Sequence, residues 1–141
     1  MKISDLDHNI VIFGENHTVP EEVEQIRKKV IMFNPDVILH EMYWEDEEFY
    51  NRYLPHVKVM PLEDEVEQTD LPVKEMFVFR ERSMIEHLSD AEAKYNRIAV
   101  VIGDTHLRTI STEELGNKSP IVTWAKENDA KVIRSSHREI E

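Results

Sequence analysis

Residues 9–18 read Asn-Ile-Val-Ile-Phe-Gly-Glu-Asn-His-Thr, an apolar run that ends at a glycine and is followed by a carboxylate and an imidazole. The run is continuously apolar rather than alternating, which is typical of a parallel strand covered on both faces. Residues 98–106 repeat the pattern as Ile-Ala-Val-Val-Ile-Gly-Asp-Thr-His. Glycine at these positions permits a sharp turn or a close approach of a ligand to the backbone. Two buried strands that each end in Gly-acid-x-His suggest a single shared site.

A helix is predicted immediately after the first strand. Thr18 and Glu21 match a capping box, and Pro20 suits the first helical turn. Asn34-Pro35 ends the helix. The apolar residues between these signals recur at helical spacing and share one face, and they are Val23, Ile26, Val30 and Phe33.

A second buried strand is predicted over residues 36–40, and Glu41 lies just beyond its end. Strand, helix and strand within about thirty residues predict a right-handed βαβ unit. In such sheets the functional groups gather at the carboxyl ends of the strands, so we expect Glu41 to lie beside residues 14–17. The role of His40 stays open, because it neighbours Glu41 but alternation along the strand turns it to the opposite face.

The whole pattern predicts one α/β domain over residues 1–141, with a core at about residues 9–134 and a polar tail at 135–141. The predicted sheet is a single, mostly parallel layer of four to five strands, built from βαβ units and flanked by helices. The elements predicted after Glu41 are a helix at 44–54, a strand at 57–60, a long helix at 73–95, a strand at 98–102, a short helix at 107–115, a helix from Ser119-Pro120 through 125, and a strand at 130–133.

One arginine lies on the predicted apolar stripe of the long helix. The stripe has spacings of seven, four, three and four, and its members are Phe77, Met84, Leu88, Ala91 and Tyr95. Arg80 falls three residues after the first of them. An inward arginine needs a partner, so it pairs with a structural carboxylate, reaches solvent, or awaits an anionic group of a substrate. The acidic run at residues 63–68 predicts solvated surface and no chemistry.

The composition argues against several classes of function. The chain of 141 residues has a formal net charge of -12, so its surface repels nucleic-acid backbones and acidic membranes. It has no cysteine, which excludes disulfides, thiolate zinc sites and a cysteine nucleophile. No apolar stretch approaches the ~20 residues of a membrane span, and the first residues do not resemble a signal peptide. We expect a cytoplasmic protein with no nucleic-acid and no membrane partner.

The polar residues at the strand ends suit two kinds of chemistry. In the first, His17, His106 and Glu41 bind a divalent metal and leave a position for a water that the metal acidifies. In the second, one histidine removes a proton from water without a metal, while Glu41 or Glu15 orients that histidine. In either case Arg80 would bind an anionic substrate group or a developing oxyanion.

Four segments resemble the motifs of one superfamily. Residues 14–17 (Gly-Glu-Asn-His) and 103–106 (Gly-Asp-Thr-His) are similar to the paired G-x-x-H motifs of the superfamily that joins TraB/PrgY proteins, TIKI proteases, erythromycin esterases and the haem-binding ChaN lipoproteins. Residues 35–41 resemble its segment of proline-aspartate, apolar strand and glutamate. Residues 80–84 (Arg-Glu-Arg-Ser-Met) resemble its helix motif of arginine, acid or asparagine, and methionine.

The resemblance implies an α/β core in which these motifs converge on a hydrolase-like pocket. By position, it implies that His17 and His106 are the paired histidines, and that Glu41 is the carboxylate after the strand. It likewise makes Arg80 the helix arginine and Glu15 the acid after the glycine. A divalent metal (Mn, Co or Zn) is implied by the TIKI branch, a metal-free site by the esterase branch, and haem by the ChaN branch.

These observations predict a small hydrolase that cleaves an ester, amide or peptide bond in a small-molecule or peptide substrate. The alternative is a module of the same fold that binds a metal or haem without catalysis. A third and weaker hypothesis is a calcineurin-like phosphoesterase, whose Asp-x-His and Gly-Asn-His motifs occur in the reverse order. The chain lacks the helical insertions that cover the pocket in longer members of the superfamily, so we also predict a homodimer in which a second copy covers it.

Overall fold

The structure is a computed structural model that describes residues 7–64, 73–107 and 120–134. A single 3₁₀ turn at Asp104–Leu107 follows the fourth strand. The helices and strands, in chain order, are β1 (Ile10–Glu15), α1 (Pro20–Phe33), β2 (Val37–His40), α2 (Tyr43–Tyr53), β3 (Lys58–Pro61), α3 (Val73–Lys94), β4 (Ile98–Gly103), α4 (Pro120–Glu127) and β5 (Lys131–Arg134).

The five strands form one parallel sheet in the order β3-β2-β4-β1-β5. β4 lies in the middle and pairs with β1 on one side and β2 on the other, so that Ile98 lies opposite both Ile10 and Val37. The predicted fold class, a single mostly parallel sheet of four to five strands flanked by helices, is confirmed. The βαβ unit of β1, α1 and β2 crosses over β4 instead of joining neighbouring strands.

The helices cover the two faces of the sheet in pairs. α1 and α2 pack on one face, where Phe33 of α1 makes an edge-to-face contact with Phe13 of β1. α3 and α4 pack on the other face, where Leu88 and Trp124 lie in one apolar cluster with Ile12. All residues of β1 and β4 are buried, which explains why their sequences are continuously apolar.

The chain leaves neighbouring strands toward opposite faces of the sheet. After β1 and after β2 it continues into α1 and α2 on one face, whereas after β4 it leads to α4 on the other face. Where the connections after neighbouring strands go to opposite faces, a crevice forms at the carboxyl ends of the strands, and ligands bind there in open α/β sheets. β4 lies between β1 and β2, so the crevice is bordered by the residues that follow all three strands.

The N-terminus of α1 differs from the prediction. The N-cap is Val19 and not Thr18, and no side chain caps the helix. Both the backbone N–H and the hydroxyl of Thr18 donate to Oδ1 of Asn16, at 3.2 and 2.8 Å. This Asx turn engages the threonine before the helix starts, so the predicted capping box with Glu21 is wrong.

Gly14 also differs from its predicted role as a turn residue. β1 extends beyond its apolar run to Glu15, with Gly14 opposite Ile102 of β4. A Cβ atom at this glycine would lie 2.7 Å from Cδ1 of Leu107 and 2.9 Å from Oδ1 of Asp104. Gly14 therefore allows the turn after β4 to pack closely against β1.

Some predicted features lie outside the described residues. These are the short helix at 107–115, except for Leu107, the polar tail at 135–141, and residues 65–68 of the acidic run. Among the helices that the structure describes, none is both long enough and apolar enough to cross a membrane.

Candidate active site

Glu41, the first residue after β2, lies at the centre of a polar cluster. Its Oε1 accepts a hydrogen bond from the backbone N–H of Gly103, the last residue of β4, at 2.6 Å. Its Oε2 accepts one from Nη2 of Arg80 at 2.7 Å. The Nε2 atom of His17 lies 3.8 Å from Oε1, and that of His106 lies 3.3 Å from Oε2. The fold thus brings Glu41, His17, His106 and Arg80 together, although they were predicted from four separate segments.

His17 lies in the loop between β1 and α1 and is oriented by a second carboxylate. Its Nδ1 is 3.1 Å from Oε2 of Glu15, which is almost fully buried at the end of β1. The carboxylates of Glu15 and Glu41 raise the pKa of His17 to about 10, against the opposing effect of burial. The Nε2 atom of His17 is buried and makes no hydrogen bond, because 3.8 Å is too far for one with Glu41. Glu15, the fifth predicted site residue, therefore lies in the cluster as well.

His106 lies in the 3₁₀ turn after β4 and is oriented in the same way. Its Nδ1 is 3.4 Å from Oε2 of Glu81 in α3. The other oxygen of Glu81 accepts the backbone N–H of Ile121, in the first turn of α4, at 3.1 Å. Burial lowers the pKa of His106, but the carboxylates of Glu41 and Glu81 outweigh it and raise the pKa to about 9. Each imidazole thus directs Nδ1 at a carboxylate of its own and Nε2 at Glu41.

The two imidazoles lower the pKa of the carboxylate that lies between them. Burial acts to raise the pKa of Glu41, but His106, His17 and the N–H of Gly103 lower it by more, so the pKa lies far below the usual range. At neutral pH the cluster has three positive groups, His17, His106 and Arg80, against four carboxylates, Glu15, Glu41, Glu63 and Glu81. Its charges are therefore nearly balanced while both imidazoles are protonated.

Arg80 is neutralised by carboxylates. Its Nε donates to Oε2 of Glu63 at 3.0 Å, and Nη2 donates to Oε1 of Glu63 and to Oε2 of Glu41. Of the alternatives predicted for this arginine, the structure shows pairing with structural carboxylates. Glu63 belongs to the acidic run to which the sequence assigned no chemistry, and it is a partner that sequence reasoning missed.

Glu81 is the second residue of the site that sequence reasoning missed. It is fully buried together with Met84, Leu88 and Ala91, so the inward stripe of α3 has spacings of three, four and three beginning at Glu81. Arg80 lies at the border of this stripe with 30% of its side chain exposed. The sequence signal for Glu81 was its helical spacing from three apolar residues. A search for buried positions that considers only apolar residues does not find it.

Asp104, the acid of the second Gly-acid-x-His pattern, pairs with an arginine of the edge strand. It is buried, and its two oxygens accept hydrogen bonds from Nε and Nη2 of Arg134 at 2.7 Å each. Arg134 ends β5, the edge strand that pairs with β1. This bidentate ion pair links the edge strand β5 to the turn after β4. The acids of the two Gly-acid-x-His segments therefore differ in role, because Glu15 faces a histidine and Asp104 binds an arginine.

A second cluster of histidine and carboxylates lies on the face covered by α1 and α2. Among the described residues, ligand atoms of Glu15, His40 and Asp46 lie within 4.8 Å of one another, a spacing that could suit a metal ion. Nε2 of His40 is 2.7 Å from Oδ2 of Asp46, and Arg27 donates to Oδ1 of Asp46. The hydroxyl of Tyr50 and Oε1 of Glu15 are buried without a hydrogen bond, whereas Oε2 of Glu15 faces Nδ1 of His17 at 3.1 Å.

The hydrogen bond that Nδ1 of His40 accepts makes this histidine a poor metal ligand. Its Nδ1 accepts the backbone N–H of Met42 at 3.0 Å, so Nδ1 has no proton and the neutral ring carries its proton on Nε2. Ligation through Nε2 would require an imidazolate or the loss of this backbone hydrogen bond. Arg27 already supplies the positive charge that Asp46 needs. The spacing of the second cluster fits a metal, but its proton and charge arrangement does not.

A cavity of about 590 Å³ opens beside the polar cluster. Glu41 and Arg80 line it, and the remaining walls come from the start of α2, from the end of β3 and from the residues just after β3. The cavity gives a bound molecule access to Glu41 from the side opposite β1. The site therefore combines a crevice at the carboxyl ends of the strands, buried titratable groups and space for a ligand.

Comparison of the chain with protein-family models, with curated proteins and with solved structures finds no match in any of the three. The resemblance to the superfamily of paired G-x-x-H motifs therefore stays a prediction that the four sequence segments carry.

Proposed function

We propose that this protein is a small hydrolase of ester, amide or peptide bonds, and that His17, Glu41 and His106 bind a divalent metal ion. One observation carries the proposal. Two imidazoles from two strand ends direct Nε2 at the same carboxylate, while a buried carboxylate faces each Nδ1. Histidine ligands of catalytic metals are oriented in this way, because a carboxylate at Nδ1 fixes the tautomer and makes Nε2 more basic.

The charges of the cluster fit a divalent ion. Binding requires both imidazoles to be neutral, so each metal ion displaces the protons of His17 and His106. The ion then brings two positive charges and removes two, and the near balance with the four carboxylates is preserved. The buried Nε2 of His17, which makes no hydrogen bond, gains a partner. The donor set thus suits Mn, Co or Zn, for which imidazole and carboxylate are ordinary ligands.

The same pKa values argue against metal-free general base catalysis. A general base works best when its pKa is near the operating pH. With pKa values of about 10 and about 9, His17 and His106 are protonated at neutral pH and cannot accept a proton from water. When a metal displaces these protons, the imidazoles act as ligands and no longer need to accept a proton from water.

When bound, such a metal supplies a water of lowered pKa and polarises a carbonyl oxygen. The residues of this chain would then have separate roles. Glu15 and Glu81 hold the proton on Nδ1 of His17 and His106 and so keep Nε2 directed at the metal. Arg80 fixes the carboxylate of Glu41 on the side of the cavity, and the N–H of Gly103 fixes it on the side of the sheet.

The test is metal titration of protein that has been treated with a chelator, followed by an ester, amide and peptide substrate panel. Calorimetry in buffers of different ionisation enthalpy measures the protons released. We expect one Mn, Co or Zn ion per chain at this site, release of about two protons per ion at pH 7, and hydrolysis that the chelator abolishes.

The controls separate the hypotheses. His17→Ala should abolish both metal binding and hydrolysis while the far-UV circular dichroism spectrum stays that of the folded parent protein. Metal binding with two-proton release but without hydrolysis of any substrate would support the non-catalytic module. Hydrolysis that survives chelation and shows no proton release on metal addition would overturn the metal site.

A further inference from the structure

The cavity beside Glu41 has no uncompensated positive charge on its described walls. Arg80 is the one cationic side chain among the described residues that line it. Both oxygens of Glu63 and one oxygen of Glu41 already accept hydrogen bonds from this arginine. An anionic ligand would have to compete with two carboxylates for Arg80. The expectation that Arg80 binds an anionic group of a substrate is therefore not supported by its surroundings.

One wall of the cavity is aromatic. Tyr43 and Trp44 begin α2 and line the cavity, and their rings meet edge to face with centroids 5.4 Å apart. Trp44 is 63% exposed although it is a large aromatic residue. Its contact with Tyr43 restricts the indole, and the rest of its surface is open to a ligand. An accessible indole is the side chain that binds cations most strongly through its ring face.

An exposed carboxylate also lines the cavity. Asp64 lines the cavity with 71% of its side chain exposed. Its position is fixed from α3, because its backbone N–H donates to Oγ of Ser83 at 3.0 Å and its carboxylate lies 2.8 Å from Nε2 of His87. The net charge of -12 on the whole chain also attracts cations toward its surface.

We infer that this cavity binds a cationic amine attached to an apolar or aromatic group, with Trp44 and Asp64 as its recognition residues. This inference rests on the proposed function in so far as it names the substrate class: esters, amides or peptides that carry an ammonium or guanidinium group near the bond to be cleaved. Glu41 lines the same cavity and is far less exposed than Trp44 and Asp64, so an amine bound by these two residues places the rest of the substrate toward Glu41.

The inference is tested by binding, without turnover, of three probes of similar shape and different charge: phenethylamine, 2-phenylethanol and 3-phenylpropionate. Calorimetry measures their affinities, and the indole N–H signals in NMR spectra locate them. The chain has two tryptophans, and Trp124 is nearly buried in the core, so its signal serves as an internal reference. We expect phenethylamine to bind most tightly and to shift the Trp44 signal alone.

Variants of the recognition residues sharpen the test. Trp44→Leu should weaken phenethylamine about two- to fivefold, which corresponds to the loss of one exposed cation–π contact. Asp64→Asn should weaken phenethylamine and leave 2-phenylethanol unchanged. The matched control is Glu48→Gln, which removes the same charge from a side chain that is 92% exposed elsewhere on α2, and it should change neither affinity.

The inference is overturned if 3-phenylpropionate binds as tightly as phenethylamine, or if Glu48→Gln weakens the amine as much as Asp64→Asn does. A shift of the Trp124 signal alone would also overturn it. Its failure is distinguishable from failure of the proposed function. Amine binding without any hydrolysis contradicts only the hydrolase, whereas hydrolysis without amine preference contradicts only the substrate class.

Discussion

The cluster around Glu41 and the cluster around Asp46 are built from the same residue types, and Glu15 belongs to both. In each, a carboxylate lies beside the Nε2 atom of a histidine that follows or ends a strand. The difference is at Nδ1. In the first cluster Nδ1 of His17 and of His106 faces a carboxylate, whereas in the second Nδ1 of His40 accepts a backbone N–H.

This one contact decides what each imidazole can do. A carboxylate facing Nδ1 accepts a hydrogen bond from Nδ1–H and so keeps that proton on the ring. Once the proton on Nε2 is lost, the lone pair of Nε2 is available to a metal. A backbone N–H at Nδ1 occupies that lone pair and leaves the proton on Nε2, where it can only be donated. The Asp46 cluster is therefore a structural link between α1, α2 and β2, and the Glu41 cluster is the one suited to chemistry.

The largest effect should come from the histidines themselves. His106→Ala should lower turnover at least about a hundredfold and abolish metal binding, because a ligand of the proposed metal is lost. His40→Ala should leave turnover per folded molecule unchanged. Activity assays combined with unfolding curves check both. Loss of turnover in His40→Ala protein that is fully folded would contradict the division of roles between the clusters.

The second largest effect concerns stability. Asp46 is buried, and its carboxylate is paired with both Arg27 and His40. Asp46→Ala removes the hydrogen-bonded carboxylate partner of Arg27 and leaves it only the 3.7 Å ion pair with Glu24, so it should lower the free energy of unfolding by about 3 kcal/mol. Glu47→Ala, at the exposed neighbouring position, should change it by no more than about 0.5 kcal/mol. Urea unfolding measures both, and metal stoichiometry should be the same in the two variants.

The third prediction concerns a substitution that weakens the contact at Nδ1 of His106 but keeps every proposed metal ligand. Glu81→Gln keeps an oxygen for the N–H of Ile121 but removes the negative charge facing His106. Metal affinity should fall about ten- to a hundredfold, as it does when partners of metal-bound histidines are changed. Glu86→Gln, an exposed position on the same helix, is the control. Equal affinities in the two variants would show that the carboxylate at Nδ1 is not needed.

The sequence allowed the strand-end residues of the site to be predicted, because a parallel sheet aligns its carboxyl ends whatever the strand order. It did not reveal that β4 lies between β1 and β2, since strand order depends on long-range pairing. Glu63 was missed because an acidic run predicts solvated surface, and only the approach of Arg80 distinguishes it from its neighbours. Glu81 was missed because helical periodicity allows a stripe through Arg80 as well as one through Glu81, and packing against the sheet selects between them.

The last prediction concerns the dependence of stability on pH in the metal-free protein. The pKa values of His17 and His106 are raised from 6.5 in the unfolded chain to about 10 and about 9 in the folded chain. The folded state therefore binds more protons, and the stability gained is complete below pH 6.5 and is lost as the pH rises toward 9 and 10. The pKa of Glu41 is lowered from 4.5, so its contribution is lost only below about that pH.

Urea unfolding of chelator-treated protein should therefore show the highest stability between about pH 4.5 and 6.5 and a decline above it. The slope should be at most about 1.4 kcal/mol per pH unit for each imidazole, and less for His17, because solvent reaches a quarter of its side chain. His17→Ala should reduce this slope, because one of the two imidazoles with a raised pKa is then absent. With metal bound, both imidazoles are already neutral, and stability should instead rise with pH because protons compete less with the metal. A metal-free protein whose stability is flat from pH 6.5 to 9 would mean that Glu15, Glu41 and Glu81 do not hold these imidazoles in their protonated form.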